Sequence, residues 1–244
     1  MKNLKLIVAY EGTAYLGWQK TEIGPSIEEE LQKVLQQILQ HPVKLQAASR
    51  TDAGVHAEAQ VVNFFTTKEV VLDRLKNSIN GLLPADIRIV GIEMMPENFH
   101  PTLEAKGKEY HYTICSGPTQ LPFHRNFSWH FFKPLDLKKM REAASFLIGK
   151  HDFSALTNEK QEDNVREVFH IEIEEMEPTR LRIRVAGNHF LYKMVRNIVG
   201  TVVYAGCGML RLEDVRSLLE SKNRSAAGMT APAHGLTLKK VYYD

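Results

Sequence analysis

The sequence predicts an α+β protein built from two ferredoxin-like βαββαβ halves, whose antiparallel sheets we expect to be joined around a central cleft. The apolar patterns follow the order strand, helix, strand, strand, helix, strand twice along the chain. Its 244 residues exceed the ~100 to 200 usual for one domain, and a loop-like stretch at 96–101 separates the two series. We therefore expect one half at residues 1–103, carrying an aspartate loop, and another at 104–244, carrying tyrosine and arginine motifs.

The first half begins with a strand that alternates apolar and polar residues from Leu4 to Val8. Ser26 and Glu29 then form a capping box, which opens a helix with one apolar face. His41-Pro42 ends this helix. The remaining predicted elements are a strand at 43–47, a strand in "QVVNFF", a helix at about 72–80 and a strand in "IRIVGIEM".

The second half repeats this order, although no residue-level repeat is visible. Its predicted elements are a strand in "EYHYTI", a helix at 135–147, strands at 168–175 and 180–186, an apolar helix in "FLYKMVRNIVGTVVYAG", a shorter helix in "LEDVRSLLES" and a closing strand in "GLTLKKVYY".

Composition excludes several classes of protein. No apolar run reaches the ~18 residues of a membrane span, and the short N-terminal apolar run is unlike a secretory signal. Cys115 and Cys207 are far apart, which argues against a disulfide framework or a cysteine-rich zinc site. We expect a cytoplasmic protein without a membrane partner. A net charge of +2 permits nucleic-acid binding if the basic residues share one surface.

The stretch "SRTDAGVH" at 49–56 carries two charged residues in a loop longer than the ~2 to 5 residues of a hairpin. One interpretation is a solvated turn, since Asp and Gly are typical turn residues. The other is a site in which Arg50 favours the ionised form of Asp52, so that this carboxylate serves as nucleophile or base. The residues alone leave both interpretations open.

Four stretches resemble the tRNA pseudouridine synthase A family. The loop and the strand after it, "SRTDAGVHAEAQVVNF", resemble the family signature. The other three, in the family's order, are "VAYEGTAYLGWQ" at 8–19, "GNHFLYKMVRNIVG" at 187–200 and "APAHGLTLKKVYY" at 231–243. The resemblance therefore spans nearly the whole chain.

This resemblance implies that Asp52 is the catalytic nucleophile and Arg50 its ionic partner. Family members isomerise uridine to pseudouridine, mostly at positions 38 to 40 of the tRNA anticodon stem-loop. The base is detached at N1 and rejoined through C5, so neither water nor a cofactor is required. Attack at C1′, attack at C6 and removal of a ribose proton all need an ionised Asp52, and the sequence does not choose among them.

The resemblance also assigns Tyr110 and Arg196 to the site. Tyr110 lies in "KGKEYHYTI", similar to a family stretch whose first tyrosine stacks on the extruded uracil and can accept its C5 proton. From pattern alone, Tyr110 and Tyr112 are core residues on one face of a strand. Arg196 resembles the family arginine that contacts the aspartate or a substrate phosphate, whereas its stripe with Lys193 and Asn197 would ordinarily be a solvated helix face.

Basic residues suggest where phosphates bind. Lys106 and Lys108 precede Tyr110 and are the candidates for phosphates beside the flipped base. A second candidate is a basic ribbon on one face of the predicted sheet, formed by Arg180, Arg182 and Arg184. The alternative is that these arginines lie on an outer face of the sheet in contact with solvent. The sequence departs from the family at Ser49, where glycine is usual, and at Glu109, which would bring a negative charge close to RNA.

No metal-binding spacing occurs among the ten histidines, so we predict no metal. We interpret His56 and Asp152 as structural residues or as residues that support the site without contacting the substrate. The family resemblance implies tRNA as the partner and a homodimer as the assembly. A rival interpretation is a non-catalytic RNA-binding or RNA-folding protein on the same scaffold, which would not need Asp52. An acid-base hydrolase would need a second carboxylate sharing a proton, and only one Asp-x-Gly motif is present.

Overall fold

The structure is a computed structural model that describes residues 1–159 and 161–244. The chain forms two compact units. The first unit comprises residues 1–106 and 237–244, and the second comprises residues 107–236. The predicted α+β class is confirmed, since each unit combines a sheet with helices.

Strands of the first unit follow the ferredoxin-like order β4-β1-β3-β2, with every adjacent pair antiparallel. A further strand, β10, runs parallel to the beginning of β3, with Thr237 opposite His56. The elements of this unit are β1 (Lys2–Tyr10), α1 (Ile27–Leu39), β2 (Gln46–Ala47), β3 (His56–Thr66), α2 (Leu72–Leu82), β4 (Ile87–Met95) and β10 (Leu236–Tyr242).

Helix α1 confirms the predicted capping box and apolar stripe. The Ser26 hydroxyl accepts a hydrogen bond from the Glu29 amide at 3.3 Å. The apolar face of α1 is buried, as is the Leu4–Val8 face of β1, so both contribute to the core of this unit. Strand β2 is shorter than predicted, and the Val43 carbonyl that precedes it accepts a hydrogen bond from the Gln32 side chain at 2.5 Å.

In the second unit, the strand order is β6-β5-β9-β8-β7; β5 and β6 run parallel, whereas the pairs β5–β9, β9–β8 and β8–β7 are antiparallel. Its elements are β5 (Gly107–Ser116), β6 (Trp129–Phe131), α3 (Leu137–Ser145), β7 (Gly149–Asp152), β8 (Val165–Glu177), β9 (Arg180–Gly187), α4 (Met194–Gly206), α5 (Leu212–Arg216) and α6 (Leu218–Ser221). The predictions missed β6 and β7, which are too short to show a period of two.

The apolar helix α4 begins four residues later than the predicted start at Phe190. Lys193 has a left-handed backbone conformation, with φ of 60°, and therefore lies outside the helix. This boundary places Arg196 on the first turn of α4.

Candidate active site

Asp52 lies on the loop between β2 and β3, and the backbone of the N-terminal turn at 11–18 holds this loop. The Trp18 amide donates to the Thr51 carbonyl at 3.0 Å, and the Gly54 amide donates to the Tyr15 carbonyl at 3.4 Å. Within the loop, the Val55 amide donates to the carbonyl of Asp52 at 3.1 Å. These bonds fix the backbone on both sides of the aspartate.

Two glycines allow the N-terminal turn to lie this close. A Cβ on Gly12 would be 2.0 Å from the Val55 carbonyl oxygen, and one on Gly17 would be 2.5 Å from that of Thr51. Gly17 also has φ of +99°, which other residues rarely adopt. The stretch "YEGTAYLGWQ", recognised in the sequence only by resemblance, thus forms the support of the aspartate loop.

Side chains from β1 and β3 complete this support. The Gln60 amide group donates to the Ser49 carbonyl at 2.5 Å and accepts from the Ser49 amide at 3.2 Å. Tyr10 and Thr51 share a hydroxyl hydrogen bond of 2.7 Å. Ser49 engages Gln60 through its backbone, so the departure from the family's glycine leaves this support in place.

His56 acts as part of this scaffold. It is buried, and its Nδ1 accepts a hydrogen bond from the Gly12 amide at 3.0 Å. Nδ1 therefore carries no proton, which gives His56 the structural contact predicted from the sequence.

Asp52 is half-buried, whereas Arg50 is exposed. An ionic contact between Arg50 and Asp52 stays a prediction from the family resemblance. Thr51, between them, is tied down through its hydroxyl and its carbonyl, which leaves the Arg50 side chain on the surface.

Tyr110 lies in the middle of β5, in the second unit, opposite Val185 of β9. Its ring is buried and packs edge-on against Phe190, with ring centroids 5.4 Å apart. Tyr112, two residues on, donates its hydroxyl to the Pro232 carbonyl at 2.8 Å, and burial raises its pKa well above the usual value. Both tyrosines therefore pack in the unit, as their pattern alone predicts, and Tyr110 lies at the position that matches the family motif.

The two candidate phosphate lysines differ in environment. Lys106 is exposed. Lys108 is only 7% exposed, and this burial lowers the pKa of its ammonium to about 8. In the described part of the chain, the Lys108 ammonium has no hydrogen-bond or ion-pair partner.

Glu109 does not point the way Tyr110 points, because successive residues of a strand face opposite sides of the sheet. Its carboxylate lies 2.7 Å from His111 Nε2 and 3.3 Å from Arg184 Nε. The Glu109 carboxylate is therefore paired with Arg184, and its approach to RNA stays a prediction.

Arg196 is half-buried on the first turn of α4, and its Nε donates to the Ala231 carbonyl at 2.7 Å. The Ala231 amide donates back to the Arg196 carbonyl at 3.1 Å. The reciprocal pair aligns the side chain of Arg196 with the segment that precedes β10.

The neighbouring polar stripe of α4 is not a solvated face. Asn197 is fully buried and donates to the Leu156 carbonyl and to Asn158 Oδ1, each at 2.8 Å. Gly200 is also buried, because the Met229 carbonyl lies where its Cβ would be. The stripe is an internal hydrogen-bonding surface, which the helical pattern alone does not distinguish from an exposed one.

The arginine ribbon on β9 is neutralised by β8, which argues against a phosphate track. Arg184 lies 2.9 Å from Glu172 and 3.0 Å from Glu174. The other two pairs join Arg182 to Glu174 at 3.9 Å and Arg180 to Glu177 at 2.9 Å.

Asp152 makes an ion pair elsewhere in the second unit. Its carboxylate lies 2.7 Å from the Lys222 ammonium and accepts from the Ser154 hydroxyl and amide. The Lys222 contact, followed by the Ser154 bonds, lowers the pKa of Asp152 to about 2. The predicted structural role of Asp152 agrees with these contacts.

The described residues contain no group of three histidine, cysteine, aspartate or glutamate side chains placed to hold a metal ion. Of the helices described, none has the length and apolar character needed to cross a bilayer.

Comparison with known proteins gives the family. A family model described as tRNA pseudouridine synthase matches residues 6–102 and 143–244. The chain is 56% identical over 248 residues to "tRNA pseudouridine synthase A 2" of Protochlamydia amoebophila, covering 100% of this chain and 95% of that protein. It is 42% identical over 246 residues to "tRNA pseudouridine synthase A" of an Exiguobacterium species, covering 100% and 99%. It is 41% identical over 245 residues to the protein of that name from Thermoanaerobacter sp. strain X514, covering all of both chains. Because the family model and the full-length relatives agree with the four motifs, this chain belongs to the tRNA pseudouridine synthase family.

Proposed function

We propose that this protein isomerises uridine to pseudouridine at positions 38 to 40 of the tRNA anticodon stem-loop, with Asp52 as the nucleophile. The observation that carries the proposal is the aspartate loop itself. Its backbone is fixed on both sides by the N-terminal turn, while Asp52 stays half-buried and within reach of a substrate. A fixed backbone with a partly accessible carboxylate is what a positioned nucleophile requires.

The reaction conserves all atoms of the nucleotide. The C1′–N1 bond breaks, a C1′–C5 bond forms, the C5 hydrogen leaves and N1 gains a hydrogen. A carboxylate is suited to each of the three possible routes, because it can attack C1′ or C6 or remove a ribose proton. No redox change occurs, and no cofactor is required.

Tyr110 and Arg196 are proposed to act on the same uridine. Tyr110 provides an aromatic surface for the extruded uracil and a phenol that can accept the C5 proton, and stacking contributes about 1 to 3 kcal/mol per base. Packing against Phe190 fixes the Tyr110 ring in advance. Arg196 is proposed to contact the Asp52 carboxylate or a substrate phosphate, which its planar fork suits.

The remaining basic candidates are proposed to bind phosphates. Arg50 and Lys106 are exposed, so both are accessible to the RNA backbone. Lys108 has no partner among the described residues, and its pKa of about 8 reflects burial without a counter-charge. A phosphate beside Lys108 would supply that charge and favour the protonated ammonium.

We also propose that the protein acts as a homodimer in the cytoplasm, where tRNA is found. A single chain of 27.8 kDa is small for an L-shaped tRNA, which supports the use of two subunits. Light scattering tests this: we expect about twice the monomer mass, and a fully active monomer would contradict it.

The proposed target is tested with unmodified tRNA transcripts tritiated at uridine C5, without metal or nucleotide. We expect tritium release from transcripts with uridines at 38 to 40 and none when cytidine replaces them, because cytidine is not a substrate for the isomerisation. Release that persists after these replacements would assign another uridine. Tight tRNA binding without release from any transcript would favour a non-catalytic RNA-binding protein.

A further inference from the structure

The segment at 228–232 lies directly on helix α4, and two glycines permit this approach. A Cβ on Gly200 would be 1.7 Å from the Met229 carbonyl oxygen, and one on Gly228 would be 2.5 Å from the Gly200 carbonyl oxygen. The Gly228 amide also donates to the Thr201 hydroxyl at 3.1 Å. The 228–232 segment is therefore fixed along α4 from its first residue.

Arg224 is the main side-chain anchor of the 228–232 segment. Its Nη1 donates to the Gly228 carbonyl at 2.9 Å, and its Nη2 donates to Asn197 Oδ1 at 2.8 Å and to the Thr230 hydroxyl at 2.9 Å. Thr230 in turn donates to Asn197 Oδ1 at 2.7 Å. One guanidinium thus joins the two ends of a bend in the segment to a buried asparagine of α4.

The C-terminal end of the 228–232 segment contacts Arg196 and Tyr112. Ala231 exchanges two hydrogen bonds with Arg196, and Pro232 accepts from Tyr112, the residue two positions after Tyr110 on β5. Arg224 and Arg196 thus bond to the same segment, Arg224 at Gly228 and Thr230 and Arg196 at Ala231.

We propose that Arg224 is a positioning residue for the isomerisation, acting by holding the 228–232 segment in the conformation that orients the Arg196 guanidinium. This inference rests on the proposed role of Arg196. The planar guanidinium of Arg224 donates to three acceptors at once, on Gly228, Asn197 and Thr230. A lysine ammonium cannot reach all three in the same geometry, so this position requires arginine. A displacement of about 1 Å at a reacting group can reduce a rate by about 100-fold.

The first test uses Arg224→Met and measures single-turnover tritium release with enzyme in excess, well below the melting temperature. We expect the rate to fall by about 100-fold while the dissociation constant for tRNA changes by less than about threefold. Arg211→Met is the matched control, because Arg211 is an exposed arginine of the same unit that pairs with Asp214. It should leave the rate unchanged.

A milder pair of variants guards against misfolding. Thr230→Val keeps the side-chain shape but removes the hydroxyl bonded to Arg224 and Asn197, whereas Thr230→Ser retains the hydroxyl. We expect Thr230→Val to slow release by about 10-fold and Thr230→Ser to keep the wild-type rate within about twofold.

A double-mutant cycle separates positioning from stability. In an Arg196→Lys background, Arg224→Met should slow release by no more than about threefold, because the group that it positions is already altered. A full additional loss in that background would overturn the inference, as would wild-type rates for both Arg224→Met and Thr230→Val. If Arg196→Lys alone has no effect, the proposed role of Arg196 fails and the inference fails with it.

Discussion

The Asp52 loop and the 228–232 segment are held in place by different means. Backbone hydrogen bonds to a neighbouring turn hold the loop, and Gly12 and Gly17 make room for that turn. The 228–232 segment also needs glycines, Gly200 and Gly228, but its bend depends on a buried network around Arg224 and Asn197. Both arrangements join residues far apart in the sequence, Trp18 to Thr51 and Arg224 to Asn197, but backbone groups make the first contact and side chains make the second.

The close approach to α4 predicts the largest change in stability. Gly200→Ala places a methyl group against the Met229 carbonyl and should lower the free energy of unfolding by about 3 kcal/mol. Gly81→Ala is the control, because a Cβ there meets nothing within 4 Å and alanine favours the helix by about 0.5 to 1 kcal/mol. Denaturant unfolding measures both, and equal stabilities would show that the segment yields easily.

A substitution in the turn that holds the Asp52 loop should cause a smaller loss of stability together with a loss of activity. Gly17→Ala should cost about 2 kcal/mol, because φ is +99° and the Thr51 carbonyl is close, and the displaced Asp52 should slow tritium release by about 100-fold. Gly208→Ala separates the two causes: Gly208 also has positive φ, of +76°, but has open space around it. Wild-type activity in Gly17→Ala would mean that the turn does not position the aspartate.

Tyr110 adds a third case to the comparison of the Asp52 loop with the 228–232 segment, because its ring is held by packing against Phe190. Tyr110→Leu should slow single-turnover release by about 10- to 100-fold through the lost stack. Tyr110→Phe keeps the contact with Phe190 and the stack, and so isolates the phenol. If Tyr110→Phe binds tRNA normally but releases no tritium, the phenol is needed as the base; if it matches wild type, stacking alone is required.

These contrasts explain what the sequence could predict. Local patterns identified α1, its Ser26–Glu29 capping box and the ferredoxin-like order of the first unit, because each depends on neighbouring residues. For the stripe on α4, the alternative of a solvated face does not hold for Asn197, which bonds to Asn158 and Arg224. The spacing of polar residues along α4 is the same whether they face water or a buried arginine.

The pairing of the arginine ribbon with glutamates could have been predicted from the sequence. The alternating glutamates of "EIEEME" lie on the preceding strand, and a hairpin register would have placed them opposite the arginines of β9. By contrast, the exposure of Arg50 and the burial of Lys108 depend on tertiary packing that no local pattern encodes.

The smallest expected effect concerns Asp152, whose ion pair with Lys222 is partly exposed, unlike the Arg224 network. Its pKa is lowered to about 2 in the folded protein, so this carboxylate stabilises the fold above the unfolded value of about 3.9 and loses that contribution as pH falls toward 2. Solvent screening limits it to about 0.5 to 1 kcal/mol.

Asp152→Asn should therefore reduce stability at pH 7 and flatten its decline between about pH 5 and 2. Stability measured by urea unfolding across this range would show an unchanged slope if Asp152 contributed nothing. Glu162→Gln is the control, since Glu162 is exposed and makes no ion pair among the described residues.

The central claim is that Asp52 is the nucleophile, and the most direct test compares wild type with Asp52→Ala and Asp52→Asn in single-turnover tritium release, alongside tRNA binding. We expect both variants to bind tRNA with near wild-type affinity and to lose at least about 10⁴-fold in rate, as removal of a nucleophile does in other enzymes. Glu69→Gln, at an exposed carboxylate paired with Lys2, should keep the wild-type rate. Release by Asp52→Ala at a rate within tenfold of wild type would contradict the account.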